Sequence, residues 1–205
     1  MKKMKNIKIL LLVMILSSSA FAQNTITGFS WSMGFATGKA KDYVGKPSFT
    51  GFTIEGHRFI NKNVSFGLTS GWNILSEKTN DLVTVNNATI TGEQGRYINV
   101  FPILLNASYY IKSSKSAKFV PFMRANVGTY YIMQRFDIGV YTINNYNWHF
   151  GVAPEIGFMY KVSRTVNLLA NAKYNYALDS GTRLSGEEKN DYAFFTLNFG
   201  ITYGY

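Results

Sequence analysis

The sequence predicts an all-β fold: eight antiparallel strands closed up-and-down into a transmembrane β-barrel, preceded by a cleavable signal peptide. Three observations carry this. Apolar and aromatic residues recur at every second position over long stretches, the period of a strand whose side chains alternate between two faces. Aromatic residues make up 16% of the 205 residues and charged residues only 16%, where a soluble domain is about a quarter charged. Beyond the N-terminus no stretch approaches the roughly 20 apolar residues of a membrane helix. The absence of Cys excludes a disulfide scaffold and a Cys-based metal site. The aromatic content excludes a disordered tail.

The chain begins with an address. Lys2, Lys3, Lys5 and Lys8 precede an apolar run from Ile9 to Leu16, then Ser17, Ser18 and Ser19, then Ala20-Phe21-Ala22. This is a basic, an apolar and a small-residue A-x-A region in the order of a secretory signal, with Ala20 and Ala22 at the cleavage site. The apolar run is too short to span a bilayer. Residues 1–22 are therefore expected to be removed, leaving 23–205 as one domain. Removing the four lysines of residues 1–22 lowers the net charge from +10 to +6. Part of the basicity thus belongs to export, and no nucleic-acid-binding motif accompanies it.

Eight alternating segments follow. In the first, Phe29, Trp31, Met33 and Phe35 alternate with Ser30, Ser32 and Gly34. Phe52 and Ile54 alternate with Thr53, Glu55 and His57 in the second, and Val64, Phe66, Leu68 and Trp72 with Ser65, Gly67, Thr69 and Gly71 in the third. The fourth sets Tyr97, Phe101, Ile103, Leu105, Ala107 and Tyr109 against Arg96, Asn106 and Ser108. The fifth sets Phe119, Pro121, Met123, Ala125 and Val127 against Phe122, Arg124, Asn126 and Gly128. Trp148 to Tyr160, Val166 to Tyr176 and Phe195 to Tyr205 complete the set. Each is long enough to cross a bilayer when tilted. The connections alternate between short (61–63, 112–118, 163–164) and long (37–48, 77–95, 135–146, 179–191), the plan of a barrel whose short turns face the periplasm. A soluble β-sandwich also alternates, but its polar faces carry Lys and Glu. Here they are mostly Gly, Ala, Ser, Thr and Asn, which suits a narrow closed interior.

With these residues the chain resembles the small outer-membrane β-barrel domain proteins of the OmpA/OmpX type, over nearly all of 24–205. The ending Phe195-x-Leu197-x-Phe199-x-Ile201-x-Tyr203-x-Tyr205 carries much of the resemblance. It implies an outer-membrane location in a Gram-negative bacterium, contact with outer-membrane lipids, and recognition of this ending by the barrel-assembly machinery. Members often end in Phe; this chain ends in Tyr205. No cofactor, metal or nucleic acid is expected, and a monomer is.

Charge sorts by side. The short turns carry seven basic residues and no acidic one, the long connections seven basic against nine acidic. Lys39, Lys41 and Lys46 are the best candidates for lipopolysaccharide phosphates. By parity Glu55, His57, Arg124, Glu155 and Lys173 point inward. With Val162 opposite Val166, Glu155 falls opposite Lys173, and Arg124 falls opposite Glu155 from the other side, so Glu155 is expected between two cations. Buried charges in a narrow barrel must be paired. This network is expected to plug the lumen and fix its register; the competing expectation is a gated pore lined by the same groups.

His149 and His57 show no Ser/His/acid spacing, so an enzyme, such as a lipid A-modifying barrel, is not expected. The expected role is structural or interactive at the cell surface, through connections 77–95 and 179–191. The β-formers around Asn86-Asn87 suggest a hairpin open to strand addition. The alternative is a narrow path for small or hydrophobic solutes, of the kind the OmpW-like barrels resemble.

Overall fold

The computed structural model describes residues 24–79, 83–85, 88–90, 94–111, 117–138, 141–178 and 191–204. The strands are β1 (Thr25–Thr37), β2 (Thr50–Phe59), β3 (Val64–Thr79), β4 (Val83–Val85), β5 (Ala88–Ile90), β6 (Gln94–Tyr110), β7 (Phe119–Ile138), β8 (Tyr141–Lys161), β9 (Val166–Ala177) and β10 (Tyr192–Gly204); α1 spans Lys39–Tyr43. Eight of them close in the order β1-β10-β9-β8-β7-β6-β3-β2, each neighbour antiparallel. The predicted barrel is therefore the fold. Closure leaves no sheet edge between β1 and β10, where Ile26 to Thr37 pair with Gly204 to Ala193.

Alternation sorts the two walls. Phe29, Phe66, Leu105, Val127, Ile156 and Phe199 are exposed on the outer wall, while Ser30, Ser65, Asn106, Asn126, Glu155 and Asn198 are buried inside. Tyr109, Tyr160 and Tyr203 stand exposed near strand ends. Several interior side chains occupy niches left by glycine. A Cβ on Gly28 would lie 2.8 Å from Glu55 Cγ, and one on Gly67 2.5 Å from His57 Nδ1.

The long connections depart from expectation in two places. Residues 135–138 and 141–146 belong to strands, not to a loop: β7 and β8 pair without interruption from Phe119↔Tyr160 to Ile138↔Tyr141. The polar Asn144, Asn145 and Asn147 hid this, because above the bilayer neither face need be apolar. Residues 37–48 are not an open loop either. Gly38 takes φ 54, a left-handed conformation that glycine adopts without strain, and turns the chain inward into α1. Ser48 then bridges back to Gly34. In connection 77–95, β4 and β5 form the hairpin that Asn86-Asn87 suggested, with Val85 opposite Ala88.

Candidate functional site in the barrel lumen

The lumen is built in three layers. Apolar layers at either end enclose a middle layer of charged and polar side chains. At the short-turn end Ile26, Phe59, Tyr110, Val120, Phe122, Met159 and Leu169 form one apolar cluster. At the other end Leu75, Ile98, Val100, Leu104, Tyr130, Ile132 and Phe194 form a second, completed by Ala40 and Val44 of the inward-folded segment. A signal for this lay in the fourth segment. Val100-Phe101-Pro102-Ile103-Leu104-Leu105 is apolar without interruption, and an uninterrupted run means that both faces of the strand are apolar.

The middle layer holds the five predicted inward residues Glu55, His57, Arg124, Glu155 and Lys173, all buried. The register Glu155↔Lys173 is the one the Ser163-Arg164 turn dictates, and Arg124↔Glu155 is the one expected for a β7–β8 connection centred near position 139. The pairing centres on a different residue, however. One terminal nitrogen of Arg124 lies 2.7 Å from Glu55 Oε2 and 2.9 Å from Glu155 Oε1. Arg124 thus sits between two carboxylates, where Glu155 was expected between two cations. Lys173 lies in register with Glu155 but has no ion pair within 4.0 Å among the described residues. The reason is reach. The guanidinium is a planar fork that can serve several acceptors, and barrel curvature brings Glu55 of β2 across the lumen to β7.

The cluster is further satisfied by neutral groups. Arg124 Nε donates to Ser108 Oγ at 2.8 Å, and Asn126 Nδ2 donates to Glu155 Oε2 at 3.2 Å. His57 Nε2 lies 3.4 Å from Glu55 Oε1. The Arg124 guanidinium also stacks 4.9 Å over the Phe122 ring, joining the ion cluster to the apolar layer beneath it. Two acidic side chains, Glu55 and Glu155, thus share this layer with two basic ones, Arg124 and Lys173.

The outer mouth is covered by the segment 38–48, which is tied down at its rim. Glu77 Oε2 accepts from the Gly45 N–H at 2.6 Å, and Glu77 Oε1 lies 3.6 Å from Lys46 Nζ. Tyr43 Oη donates to the Arg135 carbonyl at 2.9 Å, and the Arg96 guanidinium lies 5.8 Å over the Tyr43 ring. Burial holds the Tyr43 phenol above the ordinary tyrosine range, against the opposing pull of Arg96. Lys39 pairs with Asp191 at 3.9 Å. Lys39 and Lys46, two candidates for lipopolysaccharide phosphates, are thereby engaged within the chain.

His149 is buried near the outer end of β8, its Nδ1 2.8 Å from the Leu178 carbonyl and its ring edge-on to Tyr192. Among the described residues no group of three or more His, Asp or Glu is placed to hold a metal ion. Ala20, Ala22, Tyr205 and nearly all of connection 179–191 lie outside the described residues.

Solved structures share this architecture. Neisserial surface protein A matches with a TM-score of 0.57 and 16% identity, covering 89% of this chain and 98% of that one. The outer membrane protease OmpT of Escherichia coli matches with a TM-score of 0.52 and 8% identity, covering 90% and 97%. At these identities the likeness is one of fold. No curated protein matches the chain. The family model described as outer membrane protein beta-barrel domain matches residues 9–204, and the chain belongs to that family.

Proposed function

We propose that this chain is exported with loss of residues 1–22 and resides in the outer membrane as a closed, non-conducting barrel. Its work is then structural or interactive at the cell surface, carried by the connections 77–95 and 179–191. The observation that carries this reading is the filled lumen. Two apolar layers enclose a buried ion cluster, and an inward-folded segment covers the outer mouth. A continuous water path through such a lumen needs several buried side chains to move together. The test is planar-bilayer recording of the refolded protein. No discrete openings are expected, for the native chain or for Glu155→Gln. Stable single channels in the native chain that change size in Glu155→Gln would instead establish a narrow path for small or hydrophobic solutes.

The surface role is tested by deleting 82–91 or 180–190 and measuring binding of expressing cells to host surfaces or purified surface proteins. Loss of binding with the barrel still folded supports the interactive reading; unchanged binding in both deletions leaves the structural one. The barrel-assembly machinery is expected to read Phe195, Leu197, Phe199, Ile201, Tyr203 and Tyr205, so removing Tyr205 should slow insertion. N-terminal sequencing of the membrane-inserted form should begin at Gln23. The proposed role is not catalytic, and His149 Nδ1 lies 2.8 Å from the Leu178 carbonyl. Lipid A deacylation or peptide cleavage that is lost in His149→Ala would overturn that view.

A further inference from the structure

The two ends of the barrel handle charge differently. At the long-connection end cations meet acids: Lys39 pairs with Asp191 at 3.9 Å, Lys46 with Glu77 at 3.6 Å and Arg135 with Asp137 at 2.8 Å. At the other end Lys62, Lys112, Lys115, Lys118, Lys161 and Arg164 lie in or beside the turns 60–63, 111–118 and 162–165, which contain no Asp or Glu. Lys112 and Lys115 fall outside the described residues. Among the described residues Lys62, Lys118, Lys161 and Arg164 have no acidic partner within 4.0 Å.

Two of these cations face each other. The register Phe119↔Tyr160 continues to Lys118 and Lys161, where the Lys161 N–H donates to the Lys118 carbonyl at 2.8 Å. Strand parity puts both on the lumen side, next to the buried Val120 and Met159. They stand at the rim of the short-turn mouth and not over the lipid-facing wall. Like charges directly opposite each other destabilise a sheet, and an anion arriving from outside the chain relieves such a pair.

The three turns follow one another along β2, β3, β6, β7, β8 and β9, five strand spacings of about 4.8 Å and so an arc of about 24 Å. The exposed apolar turn residues Ile60 and Val162 continue the outward-facing series of Ile54 and Tyr160. Among the described residues, the surface around this mouth therefore offers separated cations without an apolar anchor. Folded protein partners draw most of their binding energy from a few anchors buried in pockets. A polymer with a carboxylate at every repeat needs no such anchor, because it gains from many weak contacts held on one chain.

We propose that the short-turn end docks on a carboxylate-bearing polymer of the cell wall beneath the outer membrane. Lys118 and Lys161 at the rim, with Lys62 and Arg164 on the turns either side, form the cationic arc on which the polymer lies. The attraction is long-ranged and non-directional, and salt screens it. The proposal rests on the outer-membrane location and gives the structural reading a concrete form, a tie between membrane and wall. It does not depend on what the long connections bind.

Co-sedimentation of the refolded mature barrel, in neutral detergent, with purified cell-wall sacculi tests this. The native chain is expected to sediment at low salt and to be released at about 1 M, where the Debye length shrinks to about 3 Å. Replacing Lys62, Lys118, Lys161 and Arg164 together by Gln should lower retention about tenfold. Lys62→Gln with Arg164→Gln, both in turns, serves if the fourfold variant does not refold, with a loss of about threefold. Replacing Lys41, Lys78, Arg183 and Lys189 of the long connections by Gln changes the net charge equally and should leave retention native. Equal losses at the two ends overturn the proposal, because net charge alone then explains binding, and so does retention that 1 M salt leaves unchanged. Release of the barrel by phosphatidylglycerol vesicles but not by soluble wall fragments also overturns it, and assigns the face to lipid headgroups. Tighter capture by polyglutamate than by wall fragments overturns it in favour of an acidic polypeptide. Separation of inner and outer membranes from expressing cells tests the location by itself: recovery in the inner membrane overturns the location, whatever the sacculi retain.

Discussion

The two ends of the lumen are both closed by apolar side chains, but by different means. At the short-turn end the strands close themselves: every member of that cluster, from Ile26 to Leu169, lies on a barrel strand. At the outer end the strands need help, and Ala40 and Val44 come from a segment that folds back into the mouth. Closure is therefore intrinsic to the sheet at one end and conditional on a tethered segment at the other. The ion cluster between them is common to both, because it ties β2, β7 and β8 together across the lumen.

Removing what the two ends share should have the largest effect. Arg124→Met leaves Glu55 and Glu155 buried without their cation and should cost about 3–5 kcal/mol, read as a lowered urea midpoint for unfolding from lipid vesicles. Next come the ends themselves. Phe122→Ala in the strand-only cluster should cost about 3–4 kcal/mol, including its contact with Arg124. Leu75→Ala in the covered cluster should cost about 2–3 kcal/mol, because the folded-in segment can settle into the space. Equal losses would show that the outer end is as rigid as the inner one and would break the comparison.

Val44→Asp should separate the covering segment from the barrel. A carboxylate cannot stay at this fully buried position, so protease cleavage between 38 and 48 should rise about tenfold or more, while barrel stability falls by less than about 2 kcal/mol. The bilayer should stay electrically silent, since the ion cluster and the inner apolar layer remain. The smallest effect belongs to Glu77→Gln. It weakens the tie to Lys46 and Gly45 at the exposed rim and should change global stability by at most about 1 kcal/mol. Faster hydrogen exchange at the Gly45 amide would report the loosened segment.

Strand parity made the fold and the inward set legible. The period of two places Arg124, Glu155 and Lys173 on one face of their strands, and a tight turn at Ser163-Arg164 leaves one register for β8 and β9. The choice of partner was not legible. Arg124 and Glu55 are separated by β3 and β6 in the sheet, and their contact depends on how the whole sheet curls. The covering segment escaped for a related reason: Ala40 and Val44 have no periodic pattern around them, and their burial is decided by a mouth that other strands build. The upper ends of β7 and β8 read as a loop because strands above a bilayer are free of the apolar rule that identifies strands within it.

The bond from Arg124 to Glu55 has a kinetic consequence. In a flat sheet β2 and β7 would lie about 14 Å apart, three strand spacings of about 4.8 Å, beyond the reach of these two side chains. The bond can form only after the sheet has curled, so it belongs to the last steps of assembly and is absent from an early transition state. A contact of that kind leaves the folding rate nearly untouched and governs the rate of opening. Arg124→Met should insert at close to the native rate and unfold far faster, which makes this residue a clasp that sets the lifetime of the barrel in the membrane.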